Sequence, residues 1–383
     1  MKKHKIISLI SIIAIMCITL GFSAFANDSE TTNTANNSEA VVLNDPTEGR
    51  CGENVGWTFD KTEKNLIISG SGDMYSYEFD NQPWQEYEKE IRIVTISDGV
   101  TSIGDFAFYQ CEDLESIVIG KDLNKIGEKS LYAPDLATIE INENNTEFSS
   151  KNGVLYDKNK TTILACPATI NANKAFLDTV VSVGPYAFYK NKVTTEVKLP
   201  DSISEIGRGA FENCSILKGV EFGKSLSAIS EYAFYGCKKL TDIKNSDNIK
   251  TIESYAFAYC THLEFIIIPN NTKKMGESVF ECCYNLNTVV IGSGITNIPN
   301  STFFGCESLK DIDLGPNVNT IAPLAFAFCT SLKNVVIPNS VKIINEYAFT
   351  NCSELNSVKL SENIETIGKL AFENCNNLKS VDI

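Results

Sequence analysis

The sequence predicts an α/β solenoid, in which coils of 23 residues stack on one another and each coil adds a short strand to one parallel sheet. Three features recur with this period. An Ala-Phe pair, such as Ala348-Phe349, precedes a cysteine, and a leucine, such as Leu355, follows that cysteine by three residues. The row of cysteines in this register comprises Cys214, Cys237, Cys260, Cys283, Cys306, Cys329, Cys352 and Cys375. A fixed period of this length is typical of repeat proteins rather than of several globular domains.

Residues 1–26 have the pattern of a secretory signal peptide. Basic residues at the start precede a short apolar run, and Ala24-Phe25-Ala26 supplies a small-x-small cleavage site. A retained membrane anchor is the alternative, although the apolar run is short for a membrane span. Cleavage removes three lysines and no acids, so the formal net charge of −15 becomes −18. A chain this acidic is not expected to bind nucleic acid or an anionic membrane, and no other segment predicts a membrane span.

Residues 27–50 are rich in Asn, Thr, Ser and Glu, which predicts a flexible leader. Residues 51–98 are predicted to form an N-terminal cap, because a solenoid must cover the apolar face of its first coil. Within this cap, Cys51–Gly72 has the pattern of a β-hairpin. The solenoid itself is predicted over residues 99–383.

The coil Cys329–Asn351 shows how the pattern predicts local structure. Its first apolar positions have the L-x-x-V-x-I spacing of a leucine-rich repeat, which indicates a strand with two inward side chains. Pro338 begins a turn, and a return segment with helical or 3₁₀-like spacing follows. The apolar positions of this coil are Leu332, Val335, Ile337, Val341, Ile344, Ala348 and Phe349.

Eleven strands of this kind are predicted, from Ile117 to Ile383, with an insertion at about residues 143–176. A turn in the insertion lies between two strand-like stretches, so a hairpin is expected there. Asn191 stands where a cysteine is expected, as does Pro134. Asn245 stands at an inward position, and we expect a buried amide bonded to the backbone, with a local bend as the alternative.

The pattern I-G-x-x-A-F-x-x-C-x-x-L-x-x-I-x-I resembles that of the BspA-like leucine-rich repeat proteins of bacterial and protist surfaces. It occurs as IGDFAFYQCEDLESIVI at residues 103–119 and again at residues 367–383. The segment that begins CGENVGWTF and the interruption FSSKNGVLYDKNKTTILACP are similar to that family's N-terminal module and insertion. The resemblance covers residues 51–383. It implies a secreted or surface-attached protein, often an adhesin for host or bacterial surface proteins, and it implies no catalytic residues.

The cysteine row is the first candidate site. Cysteines of secreted proteins usually pair, but parallel inward side chains on neighbouring coils leave Cβ atoms ~5 Å apart, whereas a disulfide needs about 3.5–4.5 Å. A straight row also does not offer the tetrahedral arrangement that zinc prefers. We therefore expect buried thiols that act as small hydrophobic groups, with no metal and no cofactor. Any disulfide is expected to involve the cysteines outside the row: Cys51, Cys166 and Cys282.

Two classes of function stay open, a binding protein and an enzyme such as a surface polysaccharide hydrolase. Only His262 remains after signal removal, and its position predicts a surface residue. Asp311 and Asp313 lie about 6.5–7 Å apart on one strand face, within the range of glycosidase carboxylate pairs, yet a solvated acidic face is the favoured interpretation. A carbohydrate-binding module is a third possibility and predicts several exposed aromatic rings.

The favoured hypothesis is a binding protein, with its site on the outward face of the strands. The outward residues Phe265, Ile267 and Val290 form an apolar spot, and Asp311 and Asp313 lie at its edge. An aromatic anchor with apolar neighbours and a charged rim is typical of the centre of a protein interface. The expected partner is a protein on a host or bacterial surface, and the chain is expected to be a monomer without catalytic residues.

Overall fold

A regular coil contributes one strand to a front row and one short strand to a back row, which confirms the predicted solenoid and its 23-residue spacing. The computed structural model describes residues 47–109 and 111–382. The predicted signal peptide and the leader up to residue 46 lie outside this part of the chain, as does the alternative of a membrane anchor.

The front-row strands run parallel to one another and are β5 (Ile93–Ile96), β7 (Ser116–Ile119), β9 (Thr138–Ile141), β14 (Glu196–Lys198), β16 (Gly219–Glu221), β18 (Asp242–Lys244), β20 (Phe265–Ile268), β22 (Thr288–Ile291), β24 (Asp311–Asp313), β26 (Asn334–Val336), β28 (Ser357–Lys359) and β30 (Ser380–Asp382). The eleven from β7 onward are those that the sequence predicts. The back-row strands are β4 (Gly72–Asp73), β6 (Val100–Ile103), β8 (Lys125–Ile126), β13 (Ser182–Val183), β15 (Glu205–Ile206), β17 (Ala228–Ile229), β19 (Thr251–Ile252), β21 (Lys274–Met275), β23 (Asn297–Ile298), β25 (Thr320–Ile321), β27 (Ile343–Ile344) and β29 (Thr366–Ile367).

The N-terminal cap is the predicted hairpin with one additional strand. β2 (Val55–Asp60) and β3 (Asn65–Gly70) are antiparallel, and β3 continues in parallel into β5 of the front row. β1 (Glu48–Arg50) pairs with β2 on the other side. The predicted leader is therefore too long at its end, because Glu48–Arg50 gains backbone hydrogen bonds from the hairpin and becomes a strand.

The return segments are built from turns rather than from α-helices. The described residues hold three short 3₁₀ turns, Gln85–Tyr87, Ala172–Lys174 and Ser246–Asn248, and no α-helix. In a regular coil, backbone hydrogen bonds of 3₁₀ type within the coil alternate with backbone hydrogen bonds to the next coil. The Ala233 N–H donates to the Ser230 carbonyl, and the Phe234 N–H donates to the Ala256 carbonyl. Tyr232, just before Ala233, has a positive φ of 57°, and this left-handed residue helps to set the alternation.

The Ala-Phe pair forms the centre of the core. The Ala side chain is small enough for the return segment to approach the strands, and the Phe rings stack from coil to coil with centroids 4.8–5.7 Å apart and planes within 11° of parallel. This phenylalanine ladder consists of Phe188, Phe211, Phe234, Phe257, Phe280, Phe303, Phe326, Phe349 and Phe372.

The insertion contains the predicted hairpin and divides the core. β11 (Val154–Asp157) and β12 (Thr162–Ala165) are antiparallel, and β10 (Phe148–Lys151) adds a third strand. Leu155 packs into the N-terminal core, whereas its neighbours Val154 and Tyr156 pack into the C-terminal core. All three side chains are fully buried, so β11 forms a wall with one core on each side.

Two irregular asparagines have different outcomes. Asn191, at a cysteine position, is buried; its amide donates to the Ile170 carbonyl (2.7 Å) and accepts from the Thr194 N–H (2.9 Å). The expectation of a buried amide at Asn245 is wrong. Asn245 is exposed with a φ of 60° and begins the 3₁₀ turn Ser246–Asn248, so the chain bends away before an inward side chain could be placed.

Candidate protein-binding face

The outward side chains of β20 and β22 lie side by side. In the parallel register, Phe265 is opposite Thr288, and Ile267 is opposite Val290. The side chains that alternate with them, such as Ile266 and Ile268, are buried. Phe265 is 48% exposed and Ile267 51% exposed, and Val290 is half-buried between its neighbours. We refer to Phe265, Ile267 and Val290 as the apolar patch.

The two carboxylates continue the same two rows on β24. Thr288 is opposite Asp311, and Val290 is opposite Asp313. Both acids are exposed and point outward. Asp313 also stabilises the backbone, because its Oδ1 accepts the N–H of Gly315 at 2.9 Å, where the chain turns with a positive φ of 73°. Asp311 therefore has the freer carboxylate at the edge of the patch.

One exposed residue of this face was missed by sequence reasoning. Val336 lies one coil beyond Asp313 and is 63% exposed, more than any residue of the apolar patch. The signal was available, because Asp313 and Val336 share the outward register at a distance of 23 residues. The face therefore carries apolar side chains on both sides of Asp313.

The flank on the N-terminal side of the patch is covered by ion pairs. The Nζ of Lys198 lies 3.2 Å from Glu221, and the Nζ of Lys244 lies 2.7 Å from Asp242. These pairs are exposed and contribute little to stability. They make this part of the front row polar, and the outward side chains change from charged to apolar at β20.

The cysteine row has a structural explanation that its spacing did not reveal. From Cys214 to Cys375, each Sγ donates to the carbonyl of a ladder phenylalanine 26 residues earlier, with Sγ–O distances of 3.1–3.3 Å. None of the twelve cysteines in the described residues forms a disulfide, including Cys51, Cys166 and Cys282. Burial raises the pKa of these row thiols where a shift is resolved, except at the half-buried Cys375, where a hydrogen bond with Cys352 lowers it.

A cluster of tyrosines connects the coils on either side of the insertion. The hydroxyls of Tyr109 and Tyr189 are 2.9 Å apart, and the Nζ of Lys190 donates to Tyr109 at 3.0 Å. The Nζ of Lys129 lies 4.4 Å from the centroid of the Tyr186 ring. Burial raises the pKa of Tyr189 well above its usual range. The lysines thus contact the tyrosine rings and hydroxyls, and the cluster stabilises the junction between the coils on either side of the insertion.

The structure also bears on the other candidate sites. His262 is exposed, as predicted, with its Nδ1 3.3 Å from the hydroxyl of Thr261. The rings of Tyr232 and Tyr255 stack in parallel at 5.0 Å, so each ring covers one face of the other. Among residues 47–109 and 111–382, no three His, Cys, Asp or Glu side chains are arranged to hold a metal ion. No helix in this same part of the chain is long and apolar enough to cross a membrane.

Comparison with known proteins identifies the repeat. A family model described as BspA type Leucine rich repeat region matches in six copies over residues 85–179, 181–310 and 273–383. No curated protein sequence matches at a significant level.

Among solved structures, a leucine-rich repeat protein from Eubacterium ventriosum ATCC 27560 is similar in fold, with a TM-score of 0.54 and 20% sequence identity. The alignment covers 87% of this chain and 95% of that chain. A leucine-rich repeat protein from Bacteroides ovatus ATCC 8483 has 24% identity, coverage of 86% and 93%, and a TM-score of 0.44. A leucine rich cell surface protein from Faecalibacterium prausnitzii A2-165 has 18% identity, coverage of 88% and 95%, and a TM-score of 0.41.

Proposed function

The chain belongs to the BspA-type leucine-rich repeat proteins, and from this premise we propose that it is a secreted or cell-surface binding protein that captures another protein with its front row. The role is adhesin-like: the partner is a protein of a host or bacterial surface, and the chain acts as a monomeric scaffold without chemistry of its own. The signal-peptide pattern of residues 1–26 supports export.

The observation that carries this proposal is the apolar patch. Monomeric proteins expose single hydrophobic side chains routinely, so one such residue would mean little. Here Phe265, Ile267 and Val290 are neighbours on two paired strands, and Val336 lies two coils beyond Val290. The ion-paired surface of β14 to β18 lies on one side, and Asp311 supplies a charged edge on the other. This arrangement matches the apolar centre and polar rim of protein interfaces.

The patch is also held rigid before any partner arrives. Each outward side chain alternates with inward residues that are packed in the core, as Ile267 does with Ile266 and Ile268. β20, β22 and β24 are joined in one parallel ladder, which fixes the spacing of the outward rows at ~4.8 Å. A preordered surface loses less conformational entropy on binding, so a small patch gains affinity.

The test compares two variants of the mature chain in pull-downs with host matrix proteins and bacterial surface extracts, followed by affinity measurement with the captured protein. The double variant Phe265→Ser with Val290→Ser should retain its fold, because both side chains point outward, and should bind at least about tenfold more weakly. Val118→Ser is the matched control, since Val118 is an outward front-row residue on β7 that is 39% exposed and lies away from the patch.

Val118→Ser should leave the affinity unchanged. If the folded double variant binds as tightly as the parent chain, the site is not the apolar patch and the proposal is wrong for this face.

A further inference from the structure

The back row is interrupted at the insertion, and the interruption leaves a groove. β8 pairs with β6 along one edge, and no strand among the described residues pairs with its other edge. A groove of about 530 Å³ lies between that edge and β12. Its lining is mainly apolar and includes Ile126, Leu131, Tyr132, Phe148, Leu164 and Pro185. The volume is in the range of sites that bind ligands.

The open edge of β8 carries backbone groups that regular coils satisfy. In a regular coil the Lys250 carbonyl accepts the N–H of Lys273, and the Ile252 carbonyl accepts the N–H of Gly276, both at 2.8 Å. Asn124 and Ile126 occupy the equivalent positions of β8, and their carbonyls accept no hydrogen bond from any residue that the structure describes. In a parallel sheet, successive residues of a strand direct their N–H and C=O groups to opposite neighbours. The Ile126 N–H therefore points toward the groove, as its carbonyl does.

The side chain between these two residues adds a charge. Lys125 is exposed on the same strand and interacts electrostatically with Asp73 of β4, but within residues 47–109 and 111–382 no carboxylate lies within 4 Å of its Nζ. Elsewhere in the back row, side chains at matching positions of neighbouring strands interact, as Ser182 does with Glu205 at 3.4 Å. An acidic residue on a strand placed beside β8 would lie opposite Lys125 and complement its charge.

A second interruption, between β21 and β23, gives a comparison. It borders a groove of about 480 Å³ whose lining includes Met275, Ile295 and Pro299 but no aromatic ring. The groove at β8 differs because Tyr132 and Phe148, together with Leu131 and Leu164, can surround an apolar side chain. Both grooves border a free strand edge with an exposed lysine, Lys125 on β8 and Lys274 on β21. Of these two grooves, the one at β8 has aromatic rings next to that edge and the one at β21 has none.

We propose that the groove between β8 and β12 binds an extended peptide segment of a partner protein, which adds as a strand to β8. Backbone N–H groups of the segment satisfy the carbonyls of Asn124 and Ile126, an apolar side chain enters the pocket beside Tyr132 and Phe148, and an acidic side chain faces Lys125. Strand addition to an exposed sheet edge is an established mode of peptide recognition. This site is separate from the apolar patch of the front row.

The test uses a fluorescein-labelled, terminally blocked heptapeptide of alternating valine and glutamate, because alternation places valines on one face of a strand and glutamates on the other. Fluorescence polarisation with the mature chain should give saturable binding, and the amide of Ile126 should become protected from hydrogen exchange. Two matched peptides complete the set: one with lysine in place of glutamate, and one with N-methyl groups that remove alternate N–H donors. Both should bind at least about tenfold more weakly.

Variants of the chain locate the site. Ala165→Phe adds a ring to the lining of the groove, and Lys125→Glu reverses the charge on an exposed residue without touching the core; each should weaken binding about tenfold or more. Thr320→Phe adds the same ring to the second groove and should have no effect. The proposal is overturned by any of three results: no saturable binding up to about 1 mM, equal binding of the N-methylated peptide, or unchanged affinity in both Ala165→Phe and Lys125→Glu.

Discussion

Removal of one ring from the phenylalanine ladder should damage one core and spare the other. Phe326 is fully buried and stacks on Phe303 at 5.3 Å and on Phe349 at 5.1 Å. Phe326→Ala leaves a cavity between the rings of Phe303 and Phe349. These two rings cannot move together to fill it, because their coils are held at a fixed spacing. We expect a loss of about 4 kcal/mol. Phe372→Ala is the control: Phe372 is half-buried and stacks on one ring only, so about 1–2 kcal/mol is expected.

The two tryptophans make the location of the damage measurable. Trp57 and Trp84 are the only tryptophans of the chain, and both are buried in the N-terminal core. Tryptophan fluorescence therefore reports that core, whereas far-UV circular dichroism reports the whole solenoid. In a guanidinium titration of Phe326→Ala, the dichroism transition should move to lower denaturant and separate from the fluorescence transition. If the fluorescence transition shifts equally, β11 does not isolate the two cores and the reasoning fails.

Three further outcomes are expected. In a thiol titration of the mature chain without reductant, Cys375 should react first. The other eleven thiols should react only after denaturation, because they are buried. If thiols react in denaturant only once a reductant is added, they are disulfide-bonded and this prediction is wrong. Burial raises the pKa of Glu281, so its contribution to the free energy of unfolding is greatest below the pKa of the unfolded chain and is lost as the pH rises through the folded pKa. Glu281→Gln should thus be more stable than the parent at pH 7 and lose this advantage in acid; a constant difference across a pH series of melting curves would contradict the assignment. Asn191→Ala should cost about 1–3 kcal/mol in chemical denaturation, because the buried Thr194 N–H and the Ile170 carbonyl lose their partner, and a neutral effect would count against that bonding role.

The sequence predicts the features that repeat in register. The period places Ile266 and Ile268 inward and Phe265 and Ile267 outward, and the structure has the same alternation. It does not predict the back-row strands, since two residues are too few for a periodic pattern. The left-handed residues are also hidden: Tyr232 and its equivalents vary in type, and tyrosine is not a residue that usually indicates a positive φ.

Features that depend on a break in the register could not be predicted. Tyr109 and Tyr189 are 80 residues apart, which is not a multiple of the 23-residue period, yet their hydroxyls meet. The free edge of β8 also depends on the insertion, because the chain leaves the back row after β8 and returns to it at β13, which pairs with β12. The sequence indicates that something is inserted at residues 143–176, but it does not indicate which backbone groups lose their partners.

The wall formed by β11 has a consequence for how such a protein can change over evolutionary time. Coils that follow one template are gained and lost when near-identical stretches of a gene recombine. In a solenoid each coil packs only against its neighbours, so such an event changes the packing of the coils next to it. Here Leu155 closes one core and Tyr156 closes the other, so the number of coils after the insertion can change while the residues that pack against Leu155 keep the same neighbours. The N-terminal core can thus stay constant while the reach of the other half is varied.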